Sequence, residues 1–326
     1  MPLPADTGAT RALPSTPARA GNLGDRAWGW GITIFGGSLL VVAGLILLEL
    51  GRVSAPAWGH LGGLKFLFSS AWDPVQEKFG ALPFIYGTLV TSGLALAIAL
   101  PVSVGLALFL SEMGPRALRI PVAYSIEVLA AIPSVVYGLW GLFVMVPWLR
   151  DSVQPFLQKT LGFLPIFQGP PIGLGYMAAG VILALMILPT IASVTIEVLK
   201  TVPPSLREGA LALGATRWES IRLAVLPYAR PGIIGASLLG LGRALGETMA
   251  VTMVIGNAPE ISASLFAPGY SLPAVIANEF AEATGDVHIG ALASLGLVLF
   301  GITLVLNAAA RLLVEKMGRG PKGARA

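Results

Sequence analysis

Six stretches of the chain are apolar for about 20 residues or more, the length that carries a helix across a hydrocarbon core. They fall at 28–50, 84–110, 120–148, 173–198, 231–255 and 289–314. The second contains Pro101, the third Glu127 and Pro133, and the fourth Pro189. A proline inside a span deletes one backbone hydrogen bond, and neighbouring helices make up the loss. Spans two and three exceed the core thickness, which predicts tilt, a kink or extension into water. The expected fold is therefore an all-α membrane protein of six transmembrane helices. It divides into a tail at 1–27, a first span with an outer loop at 28–84, a helical core at 85–314 and a basic tail at 315–326. The first tail is rich in Pro and Ala and has no short apolar core behind a basic start. It reads as a disordered polar segment rather than a signal peptide, with span one as an uncleaved anchor.

Composition narrows the class. Hydrophobic residues make up 55% of the 326 positions and charged residues 12%, about half the charge of a soluble domain. Mean hydropathy is +0.79. A soluble enzyme and an extended disordered chain are both excluded. There is no cysteine, and the only histidines are His60 and His288, so thiolate chemistry is absent and a zinc or di-iron centre is not expected. Both histidines fall in expected outer loops and read as surface residues. No G-x-x-x-x-G-K-[ST] run occurs, so no ATP-binding loop is expected here and any hydrolysis belongs to another chain. The net charge of +4 does not call for nucleic acid, because basic loops are usual on the inner side of a membrane. With the N-terminus inside, 15 Lys and Arg fall on inner segments, counting Arg311 with the C-terminal one, and five on outer segments. That asymmetry places both termini in the cytoplasm. The last outer segment, 256–288, has no basic residue but carries Glu260, Glu279, Glu282 and Asp286.

The inner segment 199–230 is more than a connection. Pro203 and Pro204 stop span four, and Ser205 with Glu208 has the spacing of a capping box. A short helix to about Leu213 follows, and Gly214 suits the left-handed position that ends it. Thr216 with Glu219 makes a second capping box, opening a helix from Arg217 to about Leu226 that Pro227 ends. Such a pair either lies on the membrane surface, its arginines on anionic lipid, or docks a partner.

Span five holds Arg243 and Glu247 near its middle. An ionised side chain there costs roughly 2.5–3.5 kcal/mol on insertion scales. A spacing of four puts the two on one helix face, where they can neutralise each other. Two roles follow: a structural ion pair, or a cation offered to an anionic substrate with Glu247 holding it. A planar guanidinium suits a phosphate-like oxyanion better than an ammonium does. Gly242 and Gly246, with Ala236 and Gly240 nearby, allow close helix approach.

The run Glu208-Gly209-Ala210, then Gly214, then Leu226-Pro227 resembles the EAA loop of ABC importer permeases. Gly209 stands at the second position of that pattern, where the family has alanine, and Ala224 stands for its isoleucine. The resemblance implies the type I importer permease fold and a cytoplasmic coupling helix seated on an ATP-hydrolysing subunit. GRALGETMAVTMVIGN resembles the penultimate span of phosphate-specific transport (Pst) permeases, as do SIEVLAAIPSVVYGLWG and LILPTIASV. The long outer connections at 51–83 and 147–171 are similar to those of the C-type (PstC-like) subunit. The resemblance implies phosphate passage at Arg243 and Glu247; Glu127 falls in a family-like stretch of span three, and Ser134 and Thr248 are candidate hydroxyl donors to the pathway. It also implies residence in the bacterial inner membrane, among lipid. The implied partners are a second, PstA-like permease, a PstB-like ATPase dimer holding ATP and Mg, and a PstS-like periplasmic phosphate-binding protein. Sulfate or molybdate as cargo, and a secondary transporter working without ATP, remain the alternatives.

Overall fold

The computed structural model describes residues 23–318. The two tails expected from the sequence lie outside the described residues, except where the flanking helices reach into them. Among the described residues the fold is helical, with only isolated bridges such as Asp73 to Lys78. Helix α1 is Leu23–Leu61. Its residues 23–49 form one compact unit and residues 50 onward another. The first unit is a single helical rod exposing Trp28, Trp30, Phe35 and Leu40, an outline that suits lipid surroundings rather than water.

The second unit is a bundle. Helix α2 is Leu82–Leu108 and ends in a wide π-helical turn, Phe109–Met113. Helix α3 is Arg116–Ala131, and α4 runs from Ser134 to Leu161. Helix α5 is Tyr176–Lys200, α6 is Pro204–Ala212, and α7 is Arg217–Leu245. Helix α8 is Met249–Val254, α9 is Leu272–Glu279, and α10 is Asp286–Gly318. Among the described residues five helices, α1, α2, α5, α7 and α10, are long and apolar enough to cross a membrane. A sixth crossing exists if α3 and α4, bent by 95° at Ile132-Pro133, count as one. Pro133 causes the bend by withholding a donor and pushing Ile132 out of helical conformation, which is extended at ψ 127°.

Helix α5 is the centre of the bundle, with Ile182, Leu183, Ile187 and Ile191 fully buried. It packs most extensively on α2 and then on α7. Small residues set the approach of α7. Gly232, Ala236 and Gly240 recur every four residues, so they share one helix face. A Cβ on Gly240 would stand 2.6 Å from Ile191 Cγ1, and one on Gly232 would stand 2.7 Å from Val198 Cγ2. Gly242, read from the sequence as half of the close-packing pair with Gly246, meets no atom within 4 Å, and Gly246 meets only the Gly242 carbonyl at 3.7 Å. The close-packing stripe thus lies on Gly232, Ala236 and Gly240.

Span five departs from the expected continuous helix at both ends. Its helix starts at Arg217 and passes through a π-helical turn, Ile221–Val225, into the body of α7. Pro227 therefore does not end it. The missing proline donor falls beside a turn whose hydrogen-bond register is already shifted, which removes the usual clash. At the other end the helix stops at Leu245 and resumes at Met249.

At the end of the bundle opposite α6, side chains pin the long connections. The Tyr86 hydroxyl donates to Ser262 O at 2.7 Å and the Tyr176 hydroxyl to Glu260 O at 2.8 Å. Trp72 donates its indole N–H to Glu279 at 3.0 Å, and His288 Nε2 lies 3.2 Å from the same carboxylate. His288 also stacks on Phe79. It is thus an enclosed joint between α9 and α10, not the surface residue its loop position suggested.

Candidate functional site: two broken helices and a capped helix pair

Arg243 sits in the last turn of α7, two residues before the helix stops. Its side chain is exposed on the single chain and has no ion pair or hydrogen bond among the described residues. The expected neutralisation by Glu247 does not form. The helix breaks at 246–248, so the two residues no longer share a helix face. Glu247 instead turns onto α8, where Oε1 accepts the Ala250 N–H at 3.3 Å. A carboxylate there satisfies a free donor at a helix start, as a cap does. The physical reason for the break is Gly246-Glu247-Thr248, a weak helix former followed by two residues that bond local backbone. Thr248 Oγ1 lies 3.4 Å from Gly246 O, and Thr252 Oγ1 donates to Thr248 O at 2.8 Å.

The second break lies alongside. Helix α8 packs on the start of α4, and the contact needs Gly138, where a Cβ would collide with Met253 Sδ and stand 3.2 Å from Ala250 Cα. Tyr137 spans the bend, its hydroxyl donating to Leu129 O at 2.9 Å. That carbonyl belongs to the last turn of α3 and has no partner within its own helix. Arg243 lies within electrostatic reach of the Tyr137 phenol. Ser134, the first residue of α4, is half-buried at the same bend. The structure therefore gathers Arg243, Tyr137, Glu247, Thr248 and Ser134 around two facing helix breaks. Tyr137 was not singled out from the sequence, although a tyrosine four residues after an in-span proline was the available signal.

Glu127 lies elsewhere. It is exposed on α3 and lines a cavity with Ala123, Ser193, Glu197 and Lys200, at the α6 end of the bundle. It lines this cavity with residues of α5 and has no ion pair or hydrogen bond with Arg243 among the described residues.

The helix pair of the inner segment forms. Gly214 takes a φ of +86°, the left-handed conformation that glycine accepts without strain. The Thr216–Glu219 capping box is complete, with Thr216 N donating to Glu219 Oε2 at 2.8 Å and Glu219 N to Thr216 Oγ1 at 3.3 Å. The Ser205–Glu208 box does not form. Pro204 takes the first helical position and makes Pro203 the cap, which leaves Ser205 inside the helix. Glu208, Gly209 and Gly214 are exposed, Ala210 and Leu226 are half-buried, and Pro227 is exposed. Leu213 is 91% exposed and Leu223 71%. Exposed leucines on a capped helix pair suit either a docked partner or a membrane surface.

A bundle of apolar spans with two mid-span breaks and one capped helix pair at an end is the build of a transport permease. The chain matches the family model of the binding-protein-dependent transport system inner membrane component over residues 99–319. It is 49% identical to the phosphate transport system permease protein PstC of Mesorhizobium japonicum over 294 residues, covering 87% of this chain and 90% of that one. The corresponding protein of Haemophilus influenzae is 50% identical over 283 residues, with 86% and 89% covered. A chain of the bacterial alginate ABC transporter, solved with an alginate pentasaccharide-bound periplasmic protein, aligns with a TM-score of 0.59 at 17% identity, covering 92% of this chain and 99% of that one. A chain of the MetNI methionine ABC transporter aligns with a TM-score of 0.53 at 17% identity over 76% of this chain and 99% of that one. The fold is that of the ABC importer permeases. The chain belongs to the binding-protein-dependent transport permeases, in their PstC branch.

Proposed function

We propose that this chain forms half of the translocation pathway of an ATP-driven phosphate importer in the bacterial inner membrane. The observation that carries the proposal is Arg243, a guanidinium without an ion-pair partner among the described residues, at the mouth of two broken helices. Keeping such a cation at mid-membrane costs free energy, and the protein does not spend Glu247 on neutralising it. Free helix ends beside it leave backbone groups available where an anion loses its water. Tyr137, Ser134 and Thr248 supply hydroxyls at the same place. Exposure of Arg243 on the single chain fits a pathway completed by a second, PstA-like permease. The PstC relatives support phosphate as the cargo.

Helix α6 and the first turns of α7 face the cytoplasm in this reading, with both termini on the same side. Glu208, Gly209, Ala210, Gly214, Leu226 and Pro227 form the seat for a PstB-like ATPase dimer, which holds ATP and Mg. A PstS-like binding protein delivers phosphate to the opposite end. Purification of the chain with its neighbouring gene products, and reconstitution in vesicles, tests the proposal. Phosphate delivered by the binding protein is expected to stimulate ATP hydrolysis and to enter the vesicles. Stimulation by sulfate or molybdate with none by phosphate would assign another oxyanion. Uptake without an ATPase in the complex would end the proposal.

A further inference from the structure

The helix pair proposed to dock the ATPase needs a rigid joint to the bundle, since motion at a loose joint is lost before it reaches the helix breaks. Most of the contact beneath it is apolar. Ala107, Leu108, Leu199, Val202, Ile221 and Val225 make one buried layer between the ends of α2, α5 and α7. Apolar layers resist separation but allow sliding, because the attraction is non-directional. Among the described residues one polar link fixes the direction. Arg207 of α6 reaches Glu112 in the π-helical turn that ends α2, 95 positions away in sequence. Nη2 lies 2.7 Å from Oε1 and Nε lies 3.1 Å from Oε2.

The same guanidinium serves a third element. Nη1 donates to Val202 O at 2.7 Å, and Nη2 donates to Leu199 O at 3.0 Å. Those carbonyls lie at the C-terminal end of α5 and two residues past it, where backbone acceptors have few donors and carry partial negative charge. Without the guanidinium, the Glu112 carboxylate would face that negative helix end. Both side chains are largely covered, Glu112 at 12% exposure and Arg207 at 26%, so water replaces the lost bonds poorly. Lysine has its three donors on one nitrogen and no fork, so it does not reproduce the paired carboxylate contact together with two carbonyl bonds from separate nitrogens.

We propose that Arg207 is a positioning residue for coupling. With Glu112 as its counter-ion, it locks α6 to the inner ends of α2 and α5, so that movement of the docked helix pair is transmitted to the core. The inference rests on the reading of α6 as the ATPase-facing helix. It is tested in the full reconstituted complex with Arg207→Lys, Glu112→Gln and the double variant. The readouts are ATPase co-purification, basal ATP hydrolysis, and phosphate moved per ATP hydrolysed. Each single variant is expected to keep its ATPase and its basal hydrolysis, and to lose about fivefold or more in phosphate moved per ATP, the low end of ordinary coupling free energies. The double variant is expected to be no worse than the more severe single one, because both remove one link. A merely structural role would lower assembly or thermal stability and leave the ratio unchanged.

An unchanged ratio in both single variants, loss of the ATPase from the complex, or additive losses in the double variant would each overturn the inference. Glu112→Gln preserves shape and keeps an acceptor, so its result stands even where Arg207→Lys disturbs folding. Failure of the underlying reading shows separately, as an unmodified complex that hydrolyses ATP without moving phosphate.

Discussion

Arg243 was legible in the sequence because charge inside an apolar run is costly, and cost at one residue points to use. Its relation to Glu247 was not legible. Hydropathy reports that a segment is apolar, and does not report that Gly246 lets the helix stop after Leu245. The carboxylate is bonded to Ala250 N instead of to Arg243. Arg243→Ala is expected to abolish phosphate uptake, and Arg243→Lys to lower it on the order of tenfold, about 1.4 kcal/mol, through loss of the planar fork. Co-purification of the ATPase should be unchanged in both, and normal uptake by the alanine variant would remove the arginine from the pathway. Glu247→Gln keeps an acceptor for the α8 start and should retain most uptake. Glu247→Ala should lose about 1 kcal/mol of stability, the usual worth of a cap. A thermal melt of the purified complex distinguishes them. A glutamine variant as impaired in uptake as Arg243→Ala would restore a direct role for the charge.

Helix existence was readable from length and apolarity, while helix continuity was not. Pro227 looked like a stop and instead follows a π-helical turn inside a continuing helix, whereas Gly246-Glu247-Thr248 looked continuous and is a break. The difference lies in which backbone groups find partners, and those partners come from elsewhere in the fold. Tyr137 closing on Leu129 O is one such partner, and the Arg207–Glu112 bridge between distant segments is another. Glycine spacing was similarly ambiguous, since Gly240 and Gly242 are indistinguishable until their neighbours are known. A side chain at Gly240 would enter Ile191 and touch Ile187, while one at Gly242 meets open space. Gly240→Val is therefore expected to destabilise the α5–α7 contact by about 1–3 kcal/mol, with Gly242→Ala close to neutral on this chain. Loss of stability in Gly242→Ala alone would mean that the stripe has been placed on the wrong face. At the helix pair, Gly214→Val forces a branched residue to a φ of +86°, at roughly 1–2 kcal/mol. Reduced recovery of the ATPase with that variant checks the docking role.

At the scale of the molecule, the family came from a few motif residues, and the sidedness came from charge counting alone. Positive charge sets orientation during insertion and leaves no mark on helix packing, so the folded bundle carries no independent record of it. The absence of cysteine makes a direct measurement simple. Val75, in the connection between α1 and α2, is 94% exposed, and Leu213, at the end of α6, is 91% exposed. Both positions accept a thiol without disturbing a packed core. With the termini inside, Val75→Cys is expected to react with a membrane-impermeant maleimide in intact spheroplasts. Leu213→Cys should react only after permeabilisation. The second label carries further information, because Leu213 adjoins Gly214 on the helix pair proposed to dock the ATPase. Its reaction should slow when the ATPase is bound and recover when the ATPase is stripped away, while Val75→Cys is indifferent to both. Labelling of Leu213→Cys in intact spheroplasts would invert the topology. Labelling from inside at a rate unaffected by the ATPase would keep the topology and return the helix pair to a membrane-surface role.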